Sequence, residues 1–319
     1  MKALIVGAAG FVGGYLIDEL ASNNYEVYAT KLPNEFIDSK SCNVIDLDIL
    51  IENDISAILE KICPDVIFHL AAQSSVALSW KKPALTLDIN VRGSVNLLEA
   101  TRNCKSKPSS LKTKVILIGS GEEYGKVNKE ENPINETNQA RPGNIYAASK
   151  ACQNMLGKIY ADAYDMEVLM VRAFNHIGPG QSPDFVVSNF CKQTAEIEAG
   201  LVKPVINVGN LSAKRDFTDV RDIVRAYRLL SINGNGKKGE TYNIGSGKAI
   251  EIKEILDIII SNSASKIEIE IDESRYRPVD VPVIEADIKK INDCTGWKPV
   301  IDLNLTITDT LQYWRSKIK

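Results

Sequence analysis

Short, continuous apolar runs rich in β-branched residues alternate along the first half of the chain with longer stretches in which apolar positions recur every three or four residues. Residues 4–6, 26–29, 66–70, 115–118 and 168–171 have the first pattern and are expected as strands. Residues 10–21, 55–62, 84–104 and 145–163 have the second and are expected as helices. Strands apolar on both faces and separated by helices predict an α/β fold whose parallel sheet is covered on both sides. After about residue 172 the alternation weakens, and Gly178-Pro179-Gly180, Gly209-Asn210 and Gly245-Ser246-Gly247 punctuate shorter elements. The expected division is a large unit of residues 1–172, with about 213–245 returning to it, and a smaller interleaved α/β lobe of 173–212 and 246–319. Residues 223–230 are the apolar part of the return, and the helical period of 303–318 closes the small lobe.

Composition narrows the class. Of 319 residues, 44% are hydrophobic and 25% charged, the balance of a globular protein rather than a disordered one. The net charge of -3 argues against a general nucleic-acid binder. No apolar run approaches the ~20 residues that span a bilayer, so no membrane role is expected. With the first strand opening at Lys2 to Gly7, no charged leader segment is expected. The six cysteines are scattered, and His69 and His176 are the sole histidines, so no metal-ligand spacing exists. Free thiols in a reducing cytoplasm are the expectation.

Gly7, Gly10 and Gly13 follow the first strand and open the first helix. Such a turn lets a pyrophosphate approach the backbone and rest on a helix N-terminus, which marks a Rossmann-like, doubly wound dinucleotide-binding unit. The second strand ends Tyr28-Ala29-Thr30-Lys31 with no acid to bind a ribose 2′-hydroxyl. A hydroxyl and a cation suit a 2′-phosphate, so NADP(H) is favoured over NAD(H). Asp48 is placed to accept from the adenine amino group, or to initiate a helix.

Tyr146 and Lys150 lie four apart in a helical segment and share one face. An unperturbed phenol, with a pKa near ~10, is a poor acid or base at neutral pH, and a neighbouring ammonium would lower it. Ser120 ends an apolar strand, at the carboxyl edge where open α/β sheets bind ligands. A hydroxyl there suits a substrate carbonyl oxygen held beside the phenol.

Gly7-x-x-Gly10-x-x-Gly13, His69-Leu70-Ala71-Ala72, Ser120 four before Tyr124-Gly125, and Tyr146-x-x-x-Lys150 together resemble the extended short-chain dehydrogenase/reductases over nearly the whole chain. The resemblance implies that Tyr146 is the acid/base, that Lys150 binds the nicotinamide ribose and tunes the phenol, and that Ser120 orients the carbonyl. It implies that Phe11, Val12, Ile49, Leu70, Ala71 and Ala72 line the dinucleotide site, that Asn90 supports the active-site architecture, and that the chain is a homodimer through 84–104 and 145–163.

Arg172-Ala173-Phe174-Asn175, Gly209-Asn210-Leu211 with Arg215, and Arg275-Tyr276-Arg277-Pro278 resemble the nucleotide-sugar branch. There Asn175, Arg215 and Arg277 would contact the diphosphate or its sugars, with Lys192 a weaker phosphate-side candidate and His176 a structural loop residue. The stretch Ala72-Gln73-Ser74-Ser75, with Ser74 expected at the substrate, Gly119 to Gly125, and Phe174 to Gln181 are similar to GDP-4-dehydro-6-deoxy-D-mannose reductases. A GDP-sugar is the implied partner, and C4-keto reduction giving GDP-D-rhamnose the implied reaction. Dehydratases of the GDP-mannose type share much of the pattern but carry a longer arginine-rich stretch after Phe-Asn-His, usually Thr at position 120, and His rather than Ser75. Gly121 replaces the acid of dTDP-glucose-type dehydratases. Glu122 is a candidate active-site carboxylate that suits a dehydratase without excluding a reductase. A dehydratase or C4-epimerase is the nearest rival, and a non-catalytic nucleotide-binding protein, which would bind cofactor without turnover, the more distant one.

Overall fold

The computed structural model describes residues 1–104, 113–232, 235–272 and 281–318. The large unit contains β1 (Lys2–Val6), α1 (Phe11–Ser22), β2 (Glu26–Lys31), β3 (Asn43–Asp46), α2 (Glu52–Ile62) and β4 (Val66–His69). It continues through α3 (Val76–Lys81), α4 (Pro83–Leu87), α5 (Gly93–Asn103), β5 (Lys114–Ser120), α6 (Ile145–Tyr164) and β6 (Val168–Ala173). Next come β7 (Asn175–Ile177), α7 (Val186–Glu198), β8 (Val205–Val208), β9 (Lys214–Asp219), α8 (Val220–Ser231) and β10 (Thr241–Ile244). The chain ends with β11 (Ala249–Glu251), α9 (Ile252–Ser261), β12 (Glu268–Ile271), β13 (Val283–Ile284), α10 (Lys289–Thr295) and α11 (Leu303–Lys317).

Seven parallel strands form the main sheet in the order β10-β6-β5-β4-β1-β2-β3. Alternation along each strand divides its residues between two cores. Ala3 and Ile5 of β1 join Leu16, Ile17 and Leu20 of α1 and Ile223, Val224 and Tyr227 of α8 on one face. Leu4 and Val6 face Ile55 and Leu59 of α2, Leu97 and Leu98 of α5, and Ala161 of α6 on the other. Each such buried aliphatic contributes about 1.5–3 kcal/mol relative to exposure. The strand order reverses between β1 and β4, and the crevice beyond that switch point is where ligands of such sheets bind.

The small lobe surrounds a third core built from Val187, Phe190, Ile206, Phe217, Ile255 and Ile307, among others. In it β9 pairs with β7, β11 and β13, while β12 pairs with β8. Two assignments differ from the sequence expectation. Residues 214–219, placed in the returning segment, are the central strand of the smaller sheet, and α8 with β10 makes the return. Ile291 and Trp297, placed in the small lobe, are buried in the large core. Local periodicity cannot tell which of two cores a short helix will join. The helix expected over 84–104 forms as one continuous helical run over 83–103 with a local irregularity at its middle. A π turn, Asp88–Arg92, lies between α4 and α5 and carries the buried Asn90. Such turns are frequent at functional sites.

Among the described residues no helix is long and apolar enough to cross a membrane, and none of the six cysteines is in a disulfide.

Candidate active site

The glycine turn joins β1 to α1. Gly7 has φ +84°, and a Cβ there would lie 2.5 Å from the Ala71 Cα, so the left-handed turn packs directly on the segment after β4. At Gly13 an added Cβ would meet the Ala8 carbonyl oxygen at 2.0 Å, which makes glycine obligatory for helix-to-turn packing. Gly10 differs: nothing lies within 4 Å of its added Cβ. It is the N-cap of α1, with no side-chain cap and no acid in the first turn. The amide end of α1, next to Phe11 and Val12, is therefore an open cradle whose dipole favours an anion, as a pyrophosphate requires. A cavity of about 440 Å³ opens here, lined by Ala9, Gly10, Phe11, Tyr15, Phe36 and Pro179 among others. Leu70 and Ala71 donate their amides to the Val6 carbonyl at 2.9 and 2.7 Å, which sets the path of the 70–72 segment along the crevice.

Three residues expected at the cofactor have protein partners of their own. The Thr30 hydroxyl is buried and accepts from Gly7 N at 3.0 Å, so it shapes the turn itself. Lys31 pairs with Asp46 at 2.5 Å, because the parallel register puts the ends of β2 and β3 side by side. Asp48 Oδ1 accepts from Leu50 N at 2.9 Å in a tight turn, and it does not initiate α2, whose N-cap is Ile51. Ile49 is buried, fills the space opposite Gly93, and its carbonyl accepts from Asn96 at 3.1 Å.

Ser120 ends β5 and caps the 3-10 turn Gly121–Tyr124. Its Oγ accepts from Glu122 N at 3.2 Å. Its hydroxyl also meets the Tyr146 side chain, which it pulls toward lower pKa. Tyr146 stands in the first turn of α6, where Asn144 caps the helix by accepting from Ala147 N at 2.8 Å. Asn144 also donates to Glu122 Oε2 at 3.3 Å, which brings that carboxylate to the same helix end. Burial outweighs the Ser120 contact, and Glu122 and Glu123 add to it, so the phenol is pushed up to about 12. Lys150 Nζ donates to the Ile118 carbonyl at 2.7 Å and to Gln153 Oε1 at 3.1 Å. Burial lowers it to about 8, with Glu123 pulling the other way. The phenol is thus raised rather than lowered, since burial and the nearby Glu122 and Glu123 carboxylates outweigh the Ser120 contact. Tyr146 is fully protonated at neutral pH, the form of a proton donor.

Behind these groups lies a buried polar layer. Asn90 accepts from Gln73 N at 2.8 Å and donates to the Gln73 carbonyl at 3.0 Å and to Ser149 Oγ at 2.8 Å. It ties the segment after β4 to the residue preceding Lys150. His69 Nε2 meets Ser94 Oγ at 2.9 Å, and burial together with Lys150 lowers the ring to about 3, keeping it neutral.

On the substrate side, Asn175 begins β7 and is exposed. His176 stacks on Phe11 with centroids 6.1 Å apart, and its Nδ1 lies 3.0 Å from the Phe174 carbonyl, a packing role that joins the two lobes. Tyr15 strengthens the same junction by donating to the Pro179 carbonyl at 2.8 Å. Arg215 is buried in β9 and donates to the Val281 carbonyl at 2.6 Å. Lys192, on α7, lies 3.6 Å from Glu196 and 5.9 Å above the Trp314 ring. Ser74 is exposed, one residue before Ser75, which caps α3. Arg277 lies outside the described residues. The sequence reading assigned no role to Glu123, Asn154 or Asp46, and it took Arg172 only as the start of the Phe174-Asn175 motif. All four meet their partners through tertiary contacts.

A glycine turn at the switch point, with a serine, tyrosine and lysine gathered at the neighbouring strand edge, defines an enzyme of the extended short-chain dehydrogenase/reductase class. Within that class, the family model described as GDP-mannose 4,6 dehydratase matches residues 4–310, and the chain belongs to this family. It is 32% identical over 319 residues to GDP-6-deoxy-D-mannose reductase of Pseudomonas aeruginosa, covering 100% of this chain and 98% of that protein. The solved structure of RMD from Pseudomonas aeruginosa complexed with NADPH superposes with a TM-score of 0.87 at 30% identity, with 100% of each chain covered. The UDP-glucose 4-epimerase of Thermus thermophilus, solved in complex with NAD, gives a TM-score of 0.86 at 25% identity, with 99% of each chain covered.

Proposed function

We propose that this protein reduces the C4 keto group of a nucleotide-activated 6-deoxy sugar, GDP-4-dehydro-6-deoxy-D-mannose, to give GDP-D-rhamnose. The observation that carries this reading is the placement of Tyr146, in the first turn of α6, against Ser120 at the carboxyl end of β5, with Lys150 bound to the Ile118 carbonyl of the same strand. The likeness to the Pseudomonas reductase supports the choice of substrate. The open amide end of α1 at Gly10 fits the pyrophosphate of a nicotinamide dinucleotide, and Lys150 and Tyr146 would hold its ribose. When bound, the reduced nicotinamide supplies a hydride to the C4 carbon. Ser120 holds the carbonyl oxygen, and Tyr146 gives its proton to the forming alkoxide. Positioned acid catalysis of this kind contributes about 10²–10⁴-fold. NADP(H) is the favoured cofactor, supported by the NADPH complex of RMD, although Lys31 carries Asp46 as a competing counter-ion. Asn175, Arg215, Arg277, Ser74 and Lys192 are the proposed sugar-nucleotide contacts. The proposed assembly is a homodimer through α5 and α6.

A second reading, GDP-mannose 4,6-dehydratase, is favoured by Glu122 at the α6 end beside Asn144 and by the family model. NADPH absorbance separates the two. Net consumption with the 4-keto sugar is expected, and keto-sugar formation from GDP-mannose without net consumption would establish the dehydratase instead. Tyr146→Phe should cut turnover at least 100-fold while sparing cofactor binding. Near-normal turnover in that variant would remove the acid assignment.

A further inference from the structure

Beneath Ser120 lies a carboxylate that the proposed chemistry leaves unused. Glu123 is 0% exposed, and donors surround it. Its Oε1 accepts from Ser120 N at 2.9 Å and Asn154 Nδ2 at 2.8 Å. Its Oε2 accepts from Arg172 Nε at 2.9 Å and Asn154 Nδ2 at 3.0 Å. Arg172 is held in turn, with its guanidinium carbon 4.5 Å over the Tyr124 ring, and Tyr124 donates to Asn243 Oδ1 at 2.7 Å.

An ordinary capping box needs only an exposed acceptor at this position. Burying a carboxylate against a guanidinium costs solvation that such a cap would not require. The neighbouring residue is shaped for the arrangement, because a Cβ on Gly119 would fall 2.3 Å from Glu123 Oε1 and 2.4 Å from Asn154 Nδ2. Ser120 is consequently gripped at both ends, its amide by Glu123 and its hydroxyl by Glu122 N.

We infer that Glu123, clamped by Arg172 and Asn154, is a positioning residue that fixes the backbone of Ser120 so that its hydroxyl stays on the Tyr146 phenol. The clamp acts on the step in which the alkoxide is protonated rather than on cofactor or sugar binding. It rests on the proposed role of Ser120.

Three variants test it with NADPH and GDP-4-dehydro-6-deoxy-D-mannose. Glu123→Gln turns one acceptor into a donor facing a donor, and kcat should fall 10- to 100-fold with KM and the NADPH dissociation constant within two-fold of wild type. Gly119→Ala displaces the carboxylate while keeping its charge and should show the same split. Asn154→Ser removes two of the contacts and should lower kcat several-fold, and this variant decides the matter if the others fail to fold. Hydrogen–deuterium exchange of a peptide spanning 119–124 should accelerate in each folded variant. Wild-type kcat in a folded variant, or parallel losses in kcat and NADPH affinity, overturns the positioning role. If wild type itself turns over no keto sugar, the functional reading fails, and unchanged exchange at 119–124 would then sink the clamp on its own.

Discussion

At the scale of single residues, burial dominates the electrostatics of the site. Lys150 lies below its ordinary range, at about 8, because its ammonium is cut off from water. A cation lowered in this way is lost as pH rises through about 8, whereas Tyr146, at about 12, keeps its proton well beyond that. If the Lys150 charge is needed for turnover, kcat for reduction should be level on the acid side of about 8 and fall about tenfold per pH unit above it. A profile level to pH ~10 would show that the ammonium is dispensable. The Lys31–Asp46 pair invites a second measurement. Asp46 is largely exposed, so its attraction for Lys31 is screened and modest. Asp46→Asn frees Lys31 and should raise the kcat/KM ratio of NADPH over NADH by roughly three- to five-fold. A fall in that ratio would mean that Lys31 does not face the 2′-phosphate. None of these electrostatic relations is legible locally. Thr30 and Lys31 read as a phosphate-friendly strand end until β1 and β3 arrive on either side and claim them.

At the scale of elements, the glycine turn performs two separable tasks. Gly13 lets α1 pack on the Ala8 carbonyl, whereas Gly10 leaves the helix end open. Gly13→Ala should lower thermal stability by several degrees, consistent with the ~1–3 kcal/mol of an overpacked site. Gly10→Ala should leave the melting temperature unchanged and raise the cofactor dissociation constant at least ten-fold, because its methyl occupies the cradle. Calorimetry and cofactor titration of both variants check the contrast, and equal affinity in Gly10→Ala and wild type would place the pyrophosphate elsewhere. The strands and helices of the large unit were legible because apolar period and strand length agree there. Strand β3, with an exposed and polar edge, gave no comparable signal, and the π turn at Asp88–Arg92 lies within a continuous helical run. Helix α8, expected only as an apolar return over 223–230, buries Val220, Ile223, Val224, Tyr227 and Leu230 and is capped by Asp219. Its C-terminal end is tied down by Lys114, whose Nζ donates to the Leu230, Ile232 and Asn235 carbonyls, a contact spanning more than a hundred residues.

At the scale of the whole molecule, apolar side chains remain on the outer face of α6. Met155 is 67% and Ile159 54% exposed, one helical turn apart, and α3 and α4, which bear the exposed Trp80, Leu85 and Leu87, pack beside that helix. A homodimer through this face should become monomeric in Met155→Glu/Ile159→Glu, as read by light scattering, with secondary structure retained. A double variant that keeps the mass of the wild-type assembly would remove α6 from the interface. Amino-acid order alone was enough for the alternating α/β architecture, the glycine turn and the Tyr146–Lys150 spacing, because each depends on periodicity or on residues within one helical turn. It also placed Ser120 at a strand end. Other relations came into being with the folded chain: Glu123 against Arg172 and Asn154, Asp46 on Lys31, and Ile291 in the large core rather than the small one. Those contacts join residues whose neighbourhood exists only after the parallel strands have taken their register, and register depends on the summed packing of both faces rather than on any local pattern.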